Sequence, residues 1–176
     1  MSDSTTEPTT DPTSREHADL LESLRRHRYF LRFATRDLTD EQAALHPTVS
    51  ALCLGGLVKH VANTEEGWVD FIEQGAVAMS GGDDWSTYAE GFQMLPGETL
   101  ASVLERYDAV AARTDALVAS GIDLDLSHEL PKAPWFEPGA SWSARRVLLH
   151  IVAETSQHAG HADILRETID GAKTMG

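Results

Sequence analysis

From Ser141 or Ser143 to about Ile169 the chain reads as one uninterrupted helix, and its middle constrains everything around it. The stretch His150-Ile-Val-Ala-Glu154-Thr-Ser-Gln-His158-Ala-Gly-His161 carries four potential metal ligands. At about 100° of rotation per residue, with Glu154 taken as zero, His158 falls near +40°, His161 near −20° and His150 near −40°, with Val147 and Leu165 between them. All four share one narrow, otherwise apolar stripe. Glu154 and His158 stand roughly 6 Å apart along the axis and can reach one ion, whereas Glu154 and His161, roughly 10 Å apart, do so much less easily. This helix supplies two ligands, and a third has to come from elsewhere.

Three more segments carry the same period. Leu20, Leu21, Leu24, His27, Phe30 and Leu31 place a helix over about 14–36, and Thr39-Asp-Glu-Gln42 has the form of a capping box before a short turn. A second long helix opens at Leu52, with Leu57, His60, Val61, Thr64, Trp68, Phe71 and Ile72 on one stripe, so that His60 faces the core. A third spans about 98–119, from Leu100 through Tyr107 to Leu117, and Gly121 stops it. The last is capped by Ser141 or Ser143 and ends at Gly171. Four long helices with no convincing strand run predict an all-α four-helix bundle, and the long crossover loops at 80–97 and 121–141 leave the up-and-down order open. Residues 1–13, rich in Ser, Thr, Pro and acid, read as a disordered tail, which leaves 14–176 as a single domain. On the last helix, opposite the ligands, Val152, Ser156, Ala159, Gly160 and Asp163 are small enough to admit another helix, either within the bundle or across a homodimer seam.

A net charge of −14, with only 14 Lys and Arg spread along 176 residues, argues against binding nucleic acid or an anionic membrane surface. Apolar runs are broken well short of the ~20 residues a membrane span needs, and no signal segment opens the chain, so a cytoplasmic location is expected. The single cysteine, Cys53, excludes an intramolecular disulfide and a multi-cysteine zinc site; a small buried residue is favoured over a reactive thiol.

Two imidazoles and a carboxylate suit Zn²⁺ or a similar divalent ion and leave coordination positions open. A single histidine on an apolar stripe is more often a hydrogen-bonded core residue, but a carboxylate among Val147, Ile151 and Leu165 requires a cation. That cation is a metal or an arginine, Arg145 or Arg146. Either arginine could instead hold a substrate carboxylate, or serve in surface pairing. His128-Glu129 begins like a zincin motif, but Pro131 follows and the second histidine is missing. His17, His27 and His46 are assigned to surface or packing roles, and Trp85, Trp135, Phe136 and Trp142 to covering the ends of the core or lining a pocket.

The segment Leu54-Gly-Gly-Leu-Val-Lys-His60-Val with Glu65 and Trp68, together with Arg145-Arg146-Val-Leu-Leu-His150 through Glu154-Thr-Ser-Gln-His158-Ala-Gly-His161-Ala-Asp-Ile-Leu-Arg166-Glu167, is similar to the DinB-like family of bundle proteins, over about residues 15–171. The resemblance is closest to an actinobacterial subgroup. It implies an up-down-down-up bundle with a divalent metal in its core, Zn²⁺ or alternatively Ni²⁺ or another first-row ion. Its relatives include mycothiol-dependent maleylpyruvate isomerase and mycothiol or bacillithiol S-transferases. By the resemblance His60, Glu154 and His158 are the metal ligands, with His161 or His150 able to replace Glu154 and His161 a possible fourth ligand. Cys53 stands where many relatives have Ser. A metal-activated, mycothiol-like thiol attacking a small electrophile, or isomerising a substrate through such an adduct, is the activity implied. The alternatives are a metal-dependent hydrolase and a non-catalytic stress or binding protein with a structural metal.

Overall fold

The computed structural model describes residues 12–79 and 89–174 of the chain. Five α-helices are defined among them, α1 (Pro12–Ala34), the single turn α2 (Asp40–Ala43), α3 (Leu54–Gln74), α4 (Leu100–Ala119) and α5 (Ala144–Asp170), with a 3-10 helix, Gly75–Met79, directly after α3. The expected tail falls outside the described residues except for Pro12 and Thr13, which open α1. Trp85 and Tyr88 of the first crossover also lie outside them.

Local chemistry sets the ends of these helices. Thr39 and Gln42 close a reciprocal capping box on α2, and Thr99 with Ser102 does the same for α4. At α5 the cap is Ser143, whose hydroxyl accepts from the Arg146 N–H, and Gly171, at φ 77°, terminates the helix in the left-handed region. At α3 the Cys53 thiol accepts from the Gly56 N–H at 3.3 Å, so this buried cysteine also works as a cap.

Cross-helix pairs give the direction of each long helix. Arg25 and Arg28 reach Asp115 while Arg32 reaches Asp108, so α1 and α4 run antiparallel. Glu16 pairs with Arg145, and the Ala34 carbonyl accepts from Arg166 at 2.9 Å, so α1 and α5 run parallel. Arg106 meets Asn63 and Glu66, and Arg113 meets Asp70 and Glu73, so α3 and α4 also run parallel. The order is therefore up-down-down-up for α1, α3, α4 and α5.

The second crossover adds what the periodicity reading lacks, a two-stranded antiparallel ribbon of β1 (Ser127–Glu129) and β2 (Ser141–Ser143), with His128 opposite Trp142. Strands of three residues are too short to show an alternating pattern. His128 Nε2 donates to the Ile72 carbonyl at 3.0 Å and ties the ribbon to the end of α3. His17 donates likewise to Ile122 at 2.8 Å, which makes it a buried packing residue.

The apolar core consists of two clusters. One gathers Leu20, Leu24, Trp68, Ile72, Leu148 and Ile151; the other gathers Leu31, Leu57, Val61, Tyr107, Ala159 and Leu165. Between them every long helix contributes a polar residue: Arg28 from α1, Glu65 from α3, Thr114 from α4 and Thr155 from α5. This polar waist is closed at its centre, where Arg28 Nε donates to Glu65 at 3.1 Å, a second guanidinium N–H and the Thr114 hydroxyl donate to the same carboxylate, and Asp115 takes the remaining edge of Arg28 at 2.7 Å. The helical stripe drawn for α1 includes His27, but Arg28 is the buried residue. Its charge hid it, and Glu65 is what allows it inside.

Candidate metal centre

On the side of α3 facing α5, His60 meets Glu154 and His158. One donor atom from each lies within 4.8 Å of the others. His60 Nε2 is 3.8 Å and His158 Nε2 3.6 Å from Glu154 Oε2, and the two imidazoles meet edge to face with centroids 4.7 Å apart. Donors bound tetrahedrally at ~2.0–2.1 Å stand roughly 3.4 Å from one another, so small rotations would bring these three onto one zinc-sized ion. The donor set fits a divalent cation in number, type and spacing.

The electrostatics agree with the geometry. Burial, reinforced by the neighbouring His158, pushes the His60 pKa down to about 4 against the pull of Glu154. Burial also lowers His158. Both rings are therefore neutral at pH 7, the state a ligand needs. Glu154, with 28% of its side chain exposed, is less enclosed than the apolar neighbours Ile151 and Leu165 suggest. Among the described residues the side-chain nitrogens within 4 Å of its carboxylate belong to the two neutral histidines and to no arginine.

Two glycines shape the inner wall. A methyl group on Gly56 would lie 1.9 Å from the Phe92 carbonyl oxygen, and one on Gly55 would run into Met94. The absence of side chains there lets the 92–94 segment lie against α3, and the Phe92 ring stacks on His60 with centroids 3.9 Å apart. Sequence reasoning missed Phe92. The Gly55-Gly56 pair within a helix was the available signal, since glycine at such a position marks close approach of another chain segment.

The other candidates fall around this centre. His161 is outside the triad, with Nδ1 3.4 Å from His158 Nδ1. His150 stands edge-on to Trp68 and Trp142, which stack on each other at 4.7 Å, and burial lowers its pKa. Arg145 is held by Glu16 and Asp125, a bridge between α5, α1 and the second crossover. Arg146 lies over the Trp142 ring at 4.1 Å and has no acidic partner among the described residues. Phe136 packs on Trp142, whereas Trp135 is exposed.

Fold and donor set together define an all-α bundle with a candidate His–Glu–His metal centre between its second and last long helices. A family model described as mycothiol S-transferase matches residues 19–171, and the chain belongs to that DinB-like family. No individually curated protein matches it. No helix among the described residues is long and apolar enough to cross a membrane.

Proposed function

We propose that this protein is a divalent-metal-dependent S-transferase that uses a low-molecular-weight thiol such as mycothiol. The observation that carries the reading is the convergence of His60, Glu154 and His158, with Glu154 partly open to solvent, supported by the family to which the chain belongs. An ion bound there, Zn²⁺ by preference for this donor set, supplies the charge that lowers a thiol's pKa from about 8.5 and makes thiolate available at neutral pH. His60 and His158 stay neutral and keep their lone pairs on the centre. Phe92 shields His60, so the approach is from the side of Glu154 and His150. Arg146, eight residues and roughly 12 Å along α5 from Glu154, is placed to orient an acidic group on a substrate; Arg145, already paired with two carboxylates, is assigned to structure. In the transfer the thiol proton passes to solvent, the sulfur forms a new S–C bond, and the leaving group departs with the electrons of the broken bond. We place the protein in the cytoplasm, because a reduced thiol co-substrate requires a reducing compartment.

Mixing metal-loaded or chelated protein with an electrophile and mycothiol, bacillithiol or cysteine tests this. Conjugation faster with loaded protein and dependent on the thiol is the expected result. Equal rates with loaded and chelated protein across several electrophiles would leave a structural metal as the better reading.

A further inference from the structure

His161 lies neither among the three converging donors nor on the surface. It is half-buried one turn beyond His158, and the two rings meet Nδ1 to Nδ1 at 3.4 Å with centroids 5.4 Å apart. The opposite edge of His158 points its Nε2 at Glu154 Oε2. A neutral imidazole carries one proton on one of its two nitrogens. For His158 to offer the Nε2 lone pair to the centre, the proton has to be on Nδ1, and a buried N–H needs an acceptor. His158 is only 8% exposed, which leaves little access for water. Among the described residues the group that meets Nδ1 is His161 Nδ1, whose lone pair accepts when His161 carries its own proton on Nε2.

We infer that His161 is a positioning residue for His158, accepting its Nδ1–H and thereby fixing the tautomer and ring orientation that present Nε2 to the centre. It acts through His158 and is not a ligand. This rests on the reading of the triad as a metal centre and requires nothing of the reaction. The spacing explains why His161 cannot exchange roles with Glu154: at three residues from His158 it meets that ring's outer edge, while Glu154, four residues on the other side, meets the inner one.

The test is Co²⁺ and Zn²⁺ affinity of the chelated and refilled full chain, measured by chelator competition, with the Co²⁺ absorption spectrum and the His158 Nδ1–H proton resonance of the zinc-loaded protein as further readouts. His161→Ala is expected to keep one ion per chain and the wild-type Co²⁺ spectrum, with affinity about 10–100-fold weaker and the Nδ1–H resonance lost to solvent exchange. In His161→Asn the amide oxygen replaces the accepting nitrogen, and affinity and resonance should return towards wild type. Wild-type affinity in His161→Ala would overturn the inference, as would an Asn variant as weak as the Ala variant. Failure of the wild-type chain to take up one ion would instead retire the metal centre itself, and this role with it.

Discussion

Glu65 lies in the polar waist of this bundle and Glu154 next to Thr155 of that waist, and the bundle answers the two carboxylates differently. Glu65 is fully buried, and both of its carboxylate oxygens meet donors, Oε1 from Arg28 and Thr114 and Oε2 from Arg28. Glu154 is partly open to solvent and faces two imidazoles that burial keeps neutral. The first site is electrically complete; the second brings together electron-pair donors with no arginine or lysine paired to them among the described residues. A buried ion pair of this kind contributes little net stability over well-packed apolar residues, yet breaking it by removing one partner is costly. The open site has no such internal compensation, which is what makes it suited to an added ion.

The comparison can be broken hardest at the closed site. Arg28→Leu strands Glu65 in the core and is expected to cost about 3–5 kcal/mol in urea unfolding, while Arg28→Leu with Glu65→Leu should recover most of that loss. A double variant as unstable as the single would show that the pair contributes more than mutual neutralisation.

Acid acts on the open site. His60 is neutral in the fold down to about pH 4 but protonates near 6.5 when the chain unfolds. The unfolded state therefore binds the extra proton in this window, and stability of the metal-free protein should fall as pH drops from about 6.5 to about 4, by up to about 3 kcal/mol from this residue. Comparing the wild-type unfolding profile with that of His60→Gln checks it; identical slopes would contradict the depressed pKa.

A smaller perturbation sharpens the boundary of the open site. Gly56→Ala forces the Phe92 backbone away from α3, with an expected cost of about 1–3 kcal/mol and a His60 pKa that moves back towards 6.5 in NMR titration. Ala tolerated without either change would mean that the 92–94 segment does not shape the centre. The mildest expected effect is that of Arg146→Gln, about a tenfold rise in KM for an acid-bearing electrophile with kcat unchanged and a neutral analogue unaffected. An equal effect on both substrates would remove Arg146 from recognition.

Much of this was legible in the residues. The periodicity of the four helices, the caps at Thr39 and Ser143 and the stop at Gly171 are local features, and the structure repeats them. The spacing of Glu154 and His158 on one stripe already placed two donors side by side; His60 faced the core by its own stripe, and only the family resemblance named it as the third. What the sequence concealed depends on tertiary partners. Arg28 looks like a surface residue until Glu65, 37 positions away, is seen to meet it. Phe92 reaches His60 only because a loop crosses two glycines, and the contact between His158 and His161 depends on ring orientation, which spacing does not specify. The β1–β2 ribbon was hidden by its brevity.

The central claim is that the open carboxylate, and not the closed one, belongs to a metal site. Equilibrium metal content after saturation with Zn²⁺ and gel filtration tests it most directly, in wild type, His60→Ala, Glu154→Ala, His158→Ala and the Arg28→Leu/Glu65→Leu double variant. One ion per chain is expected in the wild type and the double variant, with loss in the three single variants. One ion per chain retained in all three single variants, or none in the wild type, would contradict the assignment.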